Sequence, residues 1–257
     1  MLHALKHYLK HLVKSIHLHG IHSPFVFSLQ HTCFYGTTAT NDLNALKIYR
    51  KSLKLDTTVI TIKDQGTGIK NFKNKERAIN TILNINCTTL NRSALLTRIC
   101  KYLNTKSALE LGTSLGVVTH ALSLNGAMVT SVEASQSMYD YTSSKLGHHS
   151  NINLIQGSFK AFLNRELSQK PQGTYDLIFI DGHRNGAATI AYFEKLLAFA
   201  HTNTIFILDD IYWSKDMTRA WEILIKHKEV TASIDSFYWG FLFLRKEQSQ
   251  QAFHVRL

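Results

Sequence analysis

The residues best suited to chemistry are polar side chains that follow short apolar, β-rich runs. Five such runs end in a polar residue or pair, at Glu110, Glu133, Ser158, Asp181 and Asp209-Asp210. The carboxyl ends of parallel strands meet at one edge of an open α/β sheet, and such sheets bind ligands beyond that edge. The sequence therefore predicts a ligand site where these side chains converge.

A turn with two glycines follows the first of these runs. It reads ELGTSLG and contains Gly112, Thr113, Ser114 and Gly116. Gly112 permits a sharp backbone turn, and Gly116 permits close packing at the start of the next helix, whose N–H groups would face a ligand. The pattern lacks the G-x-G-x-x-G spacing of a dinucleotide site. An ordinary strand–helix turn is the alternative explanation of the glycines.

Glu133 strengthens the interpretation of this turn as a binding site. It closes the second strand, about 20 residues after the turn begins, where an acidic residue accepts hydrogen bonds from ribose hydroxyls. Strand, glycine turn, helix, strand and terminal acid together make half of a nucleotide-binding βαβ unit.

Alternating strands and helices must position these residues. Strands are predicted at 107–110, 127–132, 152–156, 174–180 and 204–208, helices at 117–124, 136–146, 189–200 and 218–226, and a terminal hairpin at 230–237 and 239–245. The run TYDLIFI is almost continuously apolar, as a parallel strand covered on both faces requires. The predicted fold class is α/β: a Rossmann-like, doubly wound, seven-stranded sheet with an antiparallel C-terminal hairpin.

The first hundred residues differ in composition from the rest. They hold 14 Lys and Arg against 4 Asp and Glu, so nearly all of the chain's net charge of +11 belongs to them. We predict a basic, mainly helical extension at 1–100 and a second domain at 101–257. A solvated appendage explains this charge, and a surface for nucleic acid, an anionic membrane or an acidic partner is the alternative.

The extension has its own predicted elements. Helices are expected at 2–18, 42–53 and 91–103, a strand at 57–62, a polar glycine loop at 64–69 and a mobile basic run at 70–77. Pro24 predicts a turn that presents Phe25 and Phe27. His3, His7 and His11 recur every four residues of the first helix, and we favour a solvated or interfacial role over a metal site for this row.

Cellular location is constrained by what the sequence lacks. No run approaches the ~18 apolar residues of a membrane span, and lysine and histidine interrupt the first residues too often for a signal peptide. The three cysteines, Cys33, Cys87 and Cys100, have no metal-ligand spacing. Reduced thiols in a cytoplasmic protein are therefore expected.

The chain resembles class I S-adenosylmethionine-dependent methyltransferases from Lys101 to the terminal hairpin. Within that class it is similar to a group of bacterial proteins, largely from the Bacteroidetes, that is related to metal-dependent O-methyltransferases. The segments that carry the resemblance are HGIHSPFVF, LELGTSLG, the IDG of Asp181, LDDIYWSKDM, Ala220-Trp221 and FHVR. The resemblance implies S-adenosylmethionine as the cofactor. The residues that it implies for binding are Glu110, Gly112, Thr113, Ser114, Gly116, Glu133, Ser158 and Asp181.

The resemblance to metal-dependent O-methyltransferases implies a second site. Asp181, Asp209 and Asp210 would hold Mg²⁺ or Ca²⁺, which favour oxygen ligands, and the ion would lower the pKa of a substrate oxygen. Those enzymes commonly carry a lysine where this chain has Arg184, which stays protonated and could orient an anion but hardly act as a base. His183 is then the available base, so the candidate catalytic residues are Asp181, His183 and Arg184. In the alternative, Asp209 and Asp210 cap the turn at 212–217.

These observations predict a methyltransferase acting on an oxygen of a small molecule. One alternative is an RNA or protein methyltransferase whose basic extension grips the substrate. Another is a non-catalytic module that binds a cofactor or nucleic acid. Tyr212 and Trp213 either wall an acceptor pocket or pack in the core, and a homodimer is one of the oligomeric states left open.

Overall fold

The computed structural model describes residues 2–15, 22–62, 75–169, 174–181, 184–246 and 250–256. The helices in these ranges are α1 Leu2–Lys14, α2 Pro24–Leu29, α3 Thr40–Leu55, α4 Ile79–Asn86, α5 Leu90–Tyr102, α6 Val117–Ser123, α7 Gln136–Leu146, α8 Phe159–Ser168, α9 Gly186–Leu196 and α10 Lys215–Leu224. The strands are β1 Val59–Ile62, β2 Lys75–Ala78, β3 Ser107–Leu111, β4 Met128–Glu133, β5 Ile152–Gln156, β6 Tyr175–Ile180, β7 Ala200–Asp209, β8 Ala232–Asp235, β9 Trp239–Phe243 and β10 Gln251–His254.

The chain forms two compact units. We call Thr32–Phe162 the central unit, and Met1–His31 together with Leu163–Leu257 the terminal unit. The predicted domain boundary at residue 100 concerns whether residues 101–257 fold independently, and it stays a prediction.

The central unit contains the glycine turn and three parallel strands in the order β3-β4-β5. The apolar face of α4 packs with Leu53 of α3 into one core that also takes in Leu115, Val117 and Met138. Leu115 belongs to the glycine turn and is fully buried. Burial of these aliphatic side chains anchors the turn, because each large buried side chain stabilises the fold by roughly 1.5–3 kcal/mol.

The terminal unit contains five strands in the order β10-β8-β9-β7-β6. β6 and β7 are parallel, and β9 runs antiparallel to both β7 and β8. The side chains of Phe179, Phe206 and Trp239 are fully buried, as expected for strands covered on both faces. Parallel strands alternating with helices and followed by antiparallel strands confirm the predicted α/β fold class.

Most predicted elements are present, with differences at a few places. β10 adds an edge strand, parallel to β8, to the seven that the sequence predicts; it is only four residues long and half polar. Pro24 begins a helix rather than a turn, with Ser23 as its N-cap, since proline at a first helical position loses no hydrogen bond. Part of the predicted mobile run is β2, paired antiparallel with β1. The predicted glycine loop at 64–69 lies outside the described residues.

Helix α1 packs by its histidine face. His11 is buried, whereas Leu5, Leu9 and Val13 are 56%, 57% and 87% exposed. Helix α1 therefore contacts the rest of the terminal unit through its histidine rings, and its aliphatic face is exposed. Among the helices of the described ranges, none is both long enough and apolar enough to cross a membrane.

Candidate functional site

The glycine turn between β3 and α6 has the backbone conformation that its sequence predicts. Gly112 has φ 111° and Gly116 has φ 70°, in the region that favours glycine. Gly116 is also the residue before α6, and a Cβ atom there would lie 2.6 Å from Leu146 and 2.8 Å from Thr142 of α7. Both predicted roles of glycine, turning and close packing, are therefore observed.

Glu133 clamps this turn to the loop after β4. Its Oε2 accepts a hydrogen bond from the N–H of Ser114, and its Oε1 accepts one from the N–H of Ser135, each at 2.8 Å. Burial raises the pKa of Glu133, and the backbone N–H groups oppose that shift. A carboxylate has about four acceptor positions, and the N–H groups of Ser114, Ser135 and Ala134 do not use all of them.

Side chains from other elements brace the turn. Tyr49 of α3 donates to the carbonyl of Leu115 at 2.8 Å, and Thr142 of α7 donates to the carbonyl of Ser114 at 2.6 Å. Cys87 Sγ lies 3.9 Å from Ser114 Oγ. Sequence reasoning missed these residues because a lone tyrosine or threonine in a helix carries no motif. The first hundred residues thus supply part of the support for the predicted cofactor turn.

Glu110 lies within a buried polar network. Its Oε2 accepts from Thr119 at 2.5 Å and from Ser131 at 2.6 Å, and Ser131 Oγ lies 2.6 Å from Thr113 Oγ1. Burial raises the pKa of Glu110 to about 8, although the hydroxyl hydrogen bonds oppose the shift. Glu110 and Ser131 are paired in the register of β3 and β4. The pairing of a glutamate and a serine at matched strand positions was the available signal for this network.

Ser158 caps a helix that the sequence analysis did not predict. Its hydroxyl accepts from the N–H of Ala161 at 3.2 Å, at the start of α8. Gly157 has φ 155°, and its N–H donates to the carbonyl of Glu133 at 2.9 Å. The loop after β5 is therefore bonded to the residue that clamps the glycine turn, and Ser158 is exposed beside it.

In the terminal unit, Asp181 and Asp209 belong to neighbouring parallel strands. Ile180 of β6 pairs with Leu208 of β7, so the residue after each lies at the same level of the sheet. Asp210 has φ 54°, and its N–H donates to Asp209 Oδ1 at 2.9 Å. The strand ends thus bring these acids to one edge, as the sequence predicts.

Arg184 places a positive charge at this edge of the sheet. Its Nε lies 2.9 Å from Asp210 Oδ2, and its guanidinium carbon lies 4.0 Å above the ring of Trp213. Arginine forms such paired and stacked contacts better than lysine does. The position where related enzymes carry lysine therefore holds a side chain fixed by both an acid and an indole. His183 lies outside the described residues.

The turn after Asp210 leads into α10. Ser214 caps α10, accepting from the N–H of Met217 at 3.1 Å, whereas the carboxylate of Asp210 pairs with Arg184. Tyr212 is half-buried, stacks on Phe237 and donates to Asp235. Trp213 is 54% exposed, so of the two predicted aromatic residues only Trp213 presents its ring at the surface.

The three aspartates do not fit a divalent-cation site as they stand. One carboxylate, that of Asp210, already has a guanidinium partner. Within the described residues the one group whose possible ligand atoms all lie within 4.8 Å of one another consists of His11, Asp235 and His254. We therefore derive no chemical step through a metal at Asp181, Asp209 and Asp210.

Comparison with known proteins relates part of this chain to methyltransferases. Residues 109–211 match the model of a methyltransferase-domain family, and this segment includes both the glycine turn and the Asp209-Asp210 pair. The fold is the Rossmann-like fold of class I methyltransferases, and together with the family match it supports S-adenosylmethionine-dependent methyltransferase activity. A comparison with curated protein sequences found no match.

The solved structures to which the chain is similar include the following methyltransferases. An O-methyltransferase from Bacillus cereus in complex with SAH is 17% identical, with 83% of this chain and 94% of that one covered and a TM-score of 0.55. An O-methyltransferase from Streptomyces achromogenes involved in tomaymycin synthesis, in complex with SAM, is 15% identical, with 81% and 100% covered and a TM-score of 0.53. SAH-bound methyltransferase from Podospora anserina is 13% identical, with 88% and 97% covered and a TM-score of 0.55.

Proposed function

We propose that this protein transfers the methyl group of S-adenosylmethionine to an oxygen of a small molecule. The observation that carries the proposal is the clamp of Glu133, which holds Ser114 of the glycine turn and Ser135 of the following loop. Its remaining acceptor capacity suits the ribose of the cofactor. Two of the structural relatives named above are O-methyltransferases, which favours an oxygen acceptor.

The cofactor would supply an electrophilic methyl group on a sulfonium. The chain's residues would hold it: Glu133 by the ribose, the turn of Gly112 and Gly116 by close backbone approach, and Ser158 beside the adenine. Glu110 and Thr113 act from behind the turn, through the network with Ser131. In-line transfer then requires chiefly that the acceptor oxygen be aligned with the methyl carbon and the sulfur.

Asp181 is the described residue proposed to receive or orient the acceptor's hydroxyl proton, with His183 as the second candidate base. Arg184, fixed by Asp210 and Trp213, is proposed to orient an anionic or electron-rich acceptor. A divalent cation at the three aspartates is the competing hypothesis for activating the oxygen, and Arg184 supplies positive charge at the same edge without one.

The test is methyl transfer from labelled S-adenosylmethionine to three acceptor pools: hydroxylated small molecules, total RNA and protein. We expect label in the small-molecule pool, with transfer lowered at least tenfold in Glu133→Ala. Transfer should be kept in His201→Ala, a histidine whose ring contacts Asp176 and Asn203. Label in RNA or protein alone would contradict the small-molecule acceptor. No transfer to any pool by a protein that binds the cofactor would favour the non-catalytic alternative.

Among the described residues, no contact favours the nucleic-acid or homodimer alternatives. A cytoplasmic location is proposed from the thiols, since Cys33, Cys87 and Cys100 form no disulfide bond. Burial raises the pKa of Cys33 to about 12, which keeps that thiol protonated and unreactive.

A further inference from the structure

Three side chains from distant parts of the sequence meet inside the terminal unit. His11 comes from α1, Asp235 ends β8 and His254 ends β10. Nδ1 of His11 lies 3.1 Å from Asp235 Oδ1, and Nδ1 of His254 lies 3.1 Å from Asp235 Oδ2. The side chains of His11 and Asp235 are each 3% exposed, and that of His254 is 28% exposed. Neither the proposed cofactor site nor the proposed acceptor site uses this cluster.

The two ring nitrogens are close to the carboxylate but are not hydrogen-bonded to it. Both Nδ1 atoms are buried, and neither makes a hydrogen bond of acceptable geometry within the described part of the chain. A buried polar atom without such a bond is costly, by about 1–3 kcal/mol. A cation placed among the two Nδ1 atoms and the carboxylate would give each Nδ1 atom a bonding partner.

A second set of contacts holds the His11 ring and the Asp235 carboxylate in place, as outer hydrogen bonds do for metal ligands. His11 Nε2 lies 3.2 Å from the carbonyl of Val255. Donation of the Nε2 proton to that carbonyl leaves the lone pair on Nδ1 facing Asp235. The carboxylate is itself held by the N–H of Phe237 at 2.8 Å and by the hydroxyl of Tyr212.

We propose that His11, Asp235 and His254 form a binding site for a divalent transition metal of the zinc type. Zinc is bound by histidine and carboxylate at about 2.0–2.2 Å, and tetrahedral ligands at that distance lie roughly 3.3 Å apart, close to the two separations of 3.1 Å observed here. Imidazole nitrogen suits zinc, copper and nickel better than it suits magnesium or calcium. The partly exposed ring of His254 leaves an approach for the ion and for a fourth ligand.

The metal would fasten α1 to β10. His11 and the cluster's carbonyl partner Val255 are 244 positions apart in the chain, so the bound ion would close a very long loop. Such closure removes conformational freedom from the unfolded chain, and a ligand that binds only the folded state stabilises it. The histidine row of α1 thus contributes one member, His11, to a site completed by residues far away in sequence.

The test is titration of chelator-treated full-length protein with Zn²⁺, followed by calorimetry and thermal melting. We expect one saturable site and a higher melting temperature with the ion. His254→Ala, at the partly exposed position, should weaken binding at least tenfold and abolish the rise in melting temperature. Asp235→Asn, which preserves shape, should do the same. Co²⁺ in place of Zn²⁺ should give the visible absorption of a four-coordinate ion without a thiolate band.

A matched control separates this site from surface histidines. His148 and His149 have ring centroids 4.3 Å apart on the central unit, so they could hold zinc adventitiously. The double variant His148→Ala with His149→Ala should bind Zn²⁺ as the wild type does. The proposal is overturned if the wild type shows no saturable Zn²⁺ site, if binding disappears with the His148 and His149 pair, or if it survives unchanged in folded His254→Ala and Asp235→Asn.

Discussion

Glu110 lies in surroundings that oppose its ionisation. It is 1% exposed, and its pKa is raised by burial to about 8. The folded protein therefore keeps this proton at pH values where the unfolded chain, with a glutamate pKa of about 4.3, has lost it. The stabilising contribution is fully present below about pH 4.3 and is lost as the pH rises through 8.

We expect the free energy of unfolding to fall as the pH rises from about 4.3 to 8. Glu110 accounts for at most about 1.4 kcal/mol of this fall per pH unit. Glu110→Gln, which cannot ionise, should show a flatter profile, with its largest advantage over the wild type near pH 8. Urea unfolding of both proteins at pH 5, 6, 7 and 8 measures the two profiles. Parallel profiles for the two proteins would show that Glu110 ionises normally.

The pairing of Arg184 with Asp210 decides between two ways of neutralising the acidic edge. With Arg184 in place, millimolar Mg²⁺ should leave the melting temperature unchanged. Arg184→Ala removes the guanidinium, so Mg²⁺ should then raise the melting temperature. At a hundredfold excess over Kd, the bound ion would add about 2.7 kcal/mol to the free energy of unfolding. Arg184→Lys, which keeps the charge, is the matched control and should respond little.

The metal hypothesis makes the opposite prediction for the wild type. A rise in wild-type melting temperature with Mg²⁺ or Ca²⁺ that disappears in the double variant Asp209→Asn with Asp210→Asn would establish it.

Sequence alone could place these acids at strand ends, because apolar runs and the terminal acids are local patterns. It could not predict that Arg184 would pair with Asp210, since that contact depends on the backbone conformation of two residues with positive φ.

At the level of elements, the glycine turn offers a matched pair of substitutions. Gly116 and Gly126 both have positive φ, 70° and 83°, but a Cβ atom at Gly126 would meet nothing within 4 Å. Gly126→Ala should therefore lose only the left-handed backbone preference, about 1–2 kcal/mol. Gly116→Ala adds the clash with Leu146 and Thr142, for which overpacking suggests a further 1–3 kcal/mol.

Chemical denaturation of both variants measures the difference, and titration with S-adenosylhomocysteine adds a functional readout. Gly116→Ala should weaken binding, because α6 must move away from α7, whereas Gly126→Ala should not. Equal loss of stability in the two variants would mean that α7 yields to the added methyl group, and the close packing would then not be the reason for glycine.

Most strands and helices were predictable from their apolar patterns, whereas α4 and α8 were not. α7 and β5 begin and end where their apolar patterns predict. α4 and α8 were missed, the former because INTILNIN also suits a strand. α1 shows a different limit: its leucine spacing correctly predicts a helix, but the packed face is set by His11 and its neighbours, whose partners are more than two hundred residues away.

For the whole molecule, several described side chains from the basic first hundred residues belong to the folded core. Leu53, Ile79 and Leu83 are almost completely buried with Leu115 of the glycine turn. We expect a chain truncated to residues 101–257 to lack cooperative thermal unfolding. Each such aliphatic side chain contributes about 2–5 kcal/mol when truncated, against a typical net stability of only about 5–15 kcal/mol. Cooperative melting of the truncated chain would instead support a separable domain that begins near residue 101.

The measurement closest to the central claim is calorimetric titration of the full-length protein with S-adenosylmethionine and S-adenosylhomocysteine. Wild type should bind both, and NADH should not bind. Glu133→Ala should bind at least about tenfold more weakly, since it loses charge-assisted hydrogen bonds worth about 1.5–3 kcal/mol each, while Gly126→Ala should match the wild type. Tight NADH binding, or a wild type that binds neither methyl donor nor its product, would contradict the assignment of the glycine turn and Glu133 as the cofactor site.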